Sequence, residues 1–155
     1  MGKPIYIMVE KEINAPLHSV WEQVAVGFGN VCQYHPEIEQ SKFEGEIKQG
    51  IGMVRHCQPA GGGFLKEEII EWNETESFKL KMIDTSFPMV MIESKFSFHG
   101  RANRTIVTQE FWYRMKSPMG WLSGLMKGKM RKTLENGLNG LEYYITTHKK
   151  IYNDK

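Results

Sequence analysis

The chain has 155 residues, 41% of them apolar and 25% charged, with a formal net charge of +2. That length suits one domain, residues 1–155, able to bury about 70% of its unfolded surface without a metal or a disulfide. So small a charge argues against nucleic acid as the main partner, and no run approaches the roughly eighteen apolar residues of a membrane span. The N-terminus, MGKPIYIMVEKEI, lacks a basic stretch followed by an apolar run, so no signal peptide is expected. Two cysteines without an export signal imply reduced thiols and a cytoplasmic location.

IYIMVEKEI alternates and is rich in Ile, Tyr and Val, which predicts a strand. In NAPLHSVWEQVAV, Asn14 or Ala15 can cap, Pro16 suits a first turn, and Leu17, Val20, Trp21 and Val24 share one helical face. The glycines of GFGN stop that helix, and a short helical or irregular piece around Asn30 to Tyr34 runs into Pro36.

From Ser41 to Lys116 short strands alternate with turn signals: FEGEI and MVRHCQP across QGIG, then LKEEIIEW, SFKLKMI, VMIESKFSF and TIVTQEFWYRM. Breaks at this spacing mean antiparallel hairpins. A long helix is predicted from about Pro118 to His148, with Leu134, Leu138, Leu141, Ile145 and His148 along one face. The compact solution is α+β, a curved antiparallel sheet with its helices on one face.

Two pairs of potential metal ligands stand out: Cys32 with His35 in CQYHPEI, and His56-Cys57 in VRHCQP. Adjacent residues of a strand point to opposite faces, so His56 and Cys57 cannot both reach one ion. No metal and no other cofactor is therefore expected. Cys57 reads as a small apolar strand residue.

Strand parity predicts which face is concave. Val107, Gln109, Phe111, Tyr113 and Met115 look inward, as do Val90, Ile92, Ser94, Phe96 and Phe98, with Phe78, Leu80 and Met82 on the strand before. Such a face is either a packed core or the wall of a ligand cavity. Ten methionines suit a surface that adapts to different ligands. The glycines of the last helical stretch (Gly120, Gly124, Gly128, Gly137, Gly140) imply close approach, a kink, or room for something bound.

The order of elements resembles the helix-grip (SRPBCC) superfamily, which holds START lipid-transfer domains, birch-pollen-allergen-like proteins, plant abscisic-acid receptors and polyketide cyclase/dehydrase-like proteins. The resemblance covers nearly the whole chain. Its carriers are Ile13-Asn14-Ala15-Pro16 with Val20-Trp21, Tyr34-His35-Pro36-Glu37-Ile38, Gly50-Ile51-Gly52 through Arg55, and Glu67-Glu68-Ile69 with Trp72-Asn73.

The resemblance implies a curved seven-stranded antiparallel sheet wrapped around the long C-terminal helix, with two short helices after the first strand. It also implies an internal cavity for a small apolar or amphipathic ligand (lipid, polyketide or aromatic), held for sequestration or transport. By motif, Arg55, Glu67 and Tyr113 would point into that cavity with Phe78, Leu80, Val90, Ile92, Ser94, Phe96, Gln109 and Phe111 on its wall, and His35 at its rim.

Catalysis of the polyketide cyclase/dehydrase kind would use His35 and Glu67 as acid and base. Equally, Arg55 and Glu67 would pair with each other across neighbouring strands. The loop PAGGGF suits a lid or an ordinary long hairpin turn. A third possibility is delivery at a membrane: KGKMRK, with Lys127, Lys129, Arg131 and Lys132, follows an apolar run and suits weak contact with anionic lipid.

Overall fold

The structure is a computed structural model that describes residues 2–151. Strand β1 (Ile5–Ile13) leads through Asn14–Pro16 into α1 (Leu17–Trp21), which widens into a π-helical turn (Glu22–Val26) and then a 3-10 segment (Phe28–Gln33). Six strands follow: β2 (Ile38–Glu44), β3 (Val54–Pro59), β4 (Leu65–Asn73), β5 (Ser77–Thr85), β6 (Met89–Arg101) and β7 (Arg104–Met115). A 3-10 turn (Met119–Leu122) then precedes α2 (Lys127–Thr147). All seven strands form one antiparallel sheet in the order β1-β7-β6-β5-β4-β3-β2, so β1 closes onto β7 rather than onto its chain neighbour.

This is the α+β architecture that strand and turn spacing foretold, in the helix-grip arrangement that the resemblance implied. The inward parity holds along β7, where Val107, Gln109, Phe111, Tyr113 and Met115 are all buried. Along β6, Ile92, Ser94, Phe96 and Phe98 are buried too, but Val90 is 41% exposed. The register slips between Met89 and Met91, and Val90 is the extra residue of that bulge. The bulge turns Val90 outward, which corrects its predicted place on the wall.

Two boundaries also move. Strand β2 starts at Ile38, earlier than FEGEI, and Ile47 sits 50% exposed in the loop that follows it. The last helix begins at Lys127 rather than Pro118, because Gly120 and Gly124 sit in open space with neither helix propensity nor a packing partner.

The sheet is covered by more than α2. Trp21 and Phe28, from α1 and the segment after it, meet the wall around Phe78, with ring centroids 6.2 and 6.0 Å away. Phe98 and Trp72 close on Trp21 at 5.2 and 5.0 Å. Edge-on aromatic packing of this kind contributes about 0.5–1.5 kcal/mol per pair beyond burial. The remaining stretch of wall lies under Leu134, Leu138 and Leu141 of α2, all buried.

Candidate functional site

Strands β3 and β4 place Arg55 directly opposite Glu67, and Arg55 Nε donates to Glu67 Oε1 at 2.8 Å. The pair is buried, so its attraction acts with little screening by water. Arg55 Nη1 also donates to the Phe28 carbonyl at 3.2 Å, and the guanidinium carbon lies 4.2 Å above the centre of the Phe28 ring. Burial by itself would lower the Arg55 pKa, but Glu67, Cys57 and Tyr34 together more than offset it, so the guanidinium stays charged. Of the two readings open for these residues, the structure contains the cross-strand pair.

Deeper along the wall, Gln109 Nε2 donates to Ser94 Oγ at 3.0 Å, and Ser94 Oγ donates to the Glu110 carbonyl at 3.2 Å. Phe96 faces Gln109 and Phe111 faces Ser94 across the β6–β7 ladder. These residues form a polar-and-aromatic strip at mid-wall. Phe78 and Leu80 are instead sealed in the core at 1% and 0% exposure.

Tyr113 points inward and is fully buried, with its hydroxyl donating to the Ser123 carbonyl. That bond ties the linker between β7 and α2 to the wall.

His35 does not stand free at a rim. Its Nδ1 accepts from the Glu37 backbone N–H at 3.1 Å, and a Cβ added at Gly137 would come within 2.8 Å of its ring. Burial pushes its pKa down to about 4, with Arg55 and Lys150 adding to the effect and Glu37 opposing it. An imidazole this hard to protonate is neutral at pH 7, and both His35 and Glu67 have partners other than each other.

Sequence reasoning missed Tyr34 and Glu37. Tyr34 is buried close to Arg55 and Cys57, and burial pushes its pKa to about 12. Glu37 accepts from Thr133 Oγ1 at 3.0 Å and from Asn136 Nδ2 at 2.9 Å, clamping the Tyr34–Ile38 segment to α2. A carboxylate beside Pro36, with Thr133 and Asn136 three apart on a helix, was the available signal.

His56 and Cys57 face opposite ways: His56 Nδ1 lies 3.3 Å from Glu44 Oε1, while Cys57 is buried. The PAGGGF loop is tied to the next hairpin, with Phe64 N donating to Ser86 Oγ at 2.9 Å and Thr85 Oγ1 to the Phe64 carbonyl at 2.8 Å. Two open clefts of about 340 and 360 Å³ flank α2; one lies against Met8–Lys11, the other against Asn14–Pro16, and Arg55 and Glu67 line neither.

A sheet gripping one helix, with a polar pair and strip on its inner wall, defines the helix-grip class. The chain belongs to the family described as polyketide cyclase/dehydrase and lipid transport, whose model matches residues 5–146. Its fold is similar to that of a START superfamily protein from Mycobacterium smegmatis, at TM-score 0.79 and 15% identity over 92% of this chain and 98% of that one. A Thermus thermophilus protein matches at TM-score 0.78 and 19% identity, over 93% of this chain and 99% of the other. The protein XoxI from Bacillus cereus matches at TM-score 0.74 and 17% identity, over 92% and 96%. No curated protein matches the sequence significantly.

Proposed function

We propose that this protein binds a small apolar or amphipathic molecule between the mid-wall strip and α2, and holds it for sequestration or transport. One observation carries the reading. Phe96, Gln109 and Phe111 keep 7–8% exposure on β6 and β7, and Arg55 on β3 keeps 8%, where Leu80, Val107 and Tyr113 keep none. Residual accessible surface at inward-facing side chains supports looser packing over this stretch of the wall. A packed core would bury these positions first.

The chemistry of the strip suits a ligand with an apolar body and one polar end. Phe96 and Phe111 offer aromatic contact. Arg55 has five N–H donors, of which the two bonds described above use two, so it can still donate to a carboxylate or carbonyl.

Thermal unfolding against long-chain fatty acids, flat aromatic acids and an apolar dye tests this. A ligand of the strip raises the melting temperature with concentration, by about 2.7 kcal/mol at a hundred times its Kd. Gln109→Leu should weaken the acids and spare the dye. No shift from any of the panel would mean that the wall is simply a filled core.

A further inference from the structure

From Phe111 to Leu134 the chain carries six basic residues (Arg114, Lys116, Lys127, Lys129, Arg131, Lys132) and no acidic one. The whole chain has twenty basic residues, so the remainder, with fourteen against eighteen acidic, is net negative. Positive charge is thus gathered on the end of β7, the linker and the first two turns of α2. Two apolar side chains stand out among these charges: Trp121 at 71% and Leu125 at 73% exposure. They are the most exposed large apolar side chains among the described residues.

Their position adds to the argument. Lys116 N donates to the Pro88 carbonyl at 2.9 Å, which fixes the linker beside the start of β6. Val90 and Ile83, at 41% and 43% exposure, lie at this same end of the sheet. The opposite end, at the β2–β3 and β6–β7 turns, has no such concentration of one sign among the described residues.

We infer that this end of the molecule docks on an anionic lipid bilayer, with Trp121 and Leu125 entering the interface and Lys127, Lys129 and Lys132 against the headgroups. Exposed aromatic and aliphatic side chains flanked along the chain by lysines match an interface that is apolar below and negatively charged above. A soluble polyanion would satisfy the lysines but leave Trp121 and Leu125 in water. The inference concerns a surface and not the mid-wall strip, so it stands or falls apart from ligand binding.

Co-sedimentation of the full chain with phosphatidylcholine vesicles, with and without 30% phosphatidylserine (roughly, an anionic surface of the cytoplasmic kind), is the test. The wild type should bind the anionic vesicles and release as salt rises, because Debye screening shortens the attraction. The triple change Lys127→Gln, Lys129→Gln, Lys132→Gln should lower the partition constant about 100-fold, at about five-fold per lysine. Arg131 is left in place because its Nη1 donates to the Met8 carbonyl at 3.0 Å. A matched triple at the other end, Lys42→Gln, Lys48→Gln, Arg101→Gln, should leave binding within about two-fold, the scale of a change in overall charge alone.

Trp121→Ala with Leu125→Ala, both exposed and so tolerated by the fold, should weaken binding at every salt concentration. Equal loss from both triples would overturn the docking face. Full binding by the Trp121/Leu125 variant would reassign the lysines to a soluble polyanion. A dimer abolished by that variant would reassign the patch to a second copy, and either result overturns the inference.

Discussion

Arg55 and Glu67 face each other across β3 and β4 with 2.8 Å between Nε and Oε1, buried under the Phe28 ring. A buried pair of this sort contributes little net stability against an apolar pair, yet removing one partner strands the other charge. Arg55→Met should therefore cost about 3–5 kcal/mol in urea unfolding, while Arg55→Met with Glu67→Leu recovers most of it. If the single change costs under about 1 kcal/mol, water reaches the pair and it is not sealed.

His35 gives the fold a pH dependence. Its pKa lies near 4 in the folded chain against the usual 6.5, because burial disfavours the imidazolium. Between those values the unfolded chain binds a proton that the folded chain refuses, so stability rises with pH there. The contribution is intact above about 6.5 and is lost as pH falls towards 4, reaching on the order of 2–3 kcal/mol. Urea midpoints taken from pH 7 to pH 4.5 should fall more steeply for the wild type than for His35→Asn. Parallel slopes would show that His35 takes up its proton as readily in the folded chain as in the unfolded one.

The glycines of the last helical stretch separate into two kinds. A Cβ at Gly140 would overlap the Tyr34 carbonyl oxygen and crowd Pro36, whereas one at Gly128 would meet nothing within 4 Å. Gly140→Ala should destabilise by about 1–3 kcal/mol or more, through overpacking against backbone. Gly128→Ala should stabilise by up to about 1 kcal/mol, the helix propensity difference. Melting temperatures of the two variants should move in opposite directions.

That contrast shows where the sequence was legible. Strand parity and turn spacing depend on neighbours within one strand, and they placed the β7 wall correctly. What failed depends on contacts far along the chain. Nothing near Gly137 or Gly140 says that His35, Tyr34 and Pro36 pack there, because those partners belong to a segment before β2. The bulge at Val90 was invisible for a related reason: alternation counts residues and cannot see one that the ladder skips. The aromatic plug of Trp21 and Phe28 was hidden because helical periodicity shows that a face is apolar, without saying which part of the sheet it covers.

Tyr113 tests how the linker is held. Its hydroxyl donates to the Ser123 carbonyl in a bond shielded from water, and Ser123 itself is buried although Trp121 and Leu125 on either side are exposed. Such a bond contributes about 0.5–1.5 kcal/mol, and its loss leaves a carbonyl without a partner. Tyr113→Phe keeps the ring and the packing, so global stability should fall by about 1 kcal/mol only. Local opening should change more, because few other contacts anchor residues 117–125. Amide exchange across that segment should speed up about five-fold while β6 and β7 stay as protected as before, a local shift of the same 1 kcal/mol. Uniform acceleration through the sheet would mean instead that the hydroxyl supports the whole wall and not the linker.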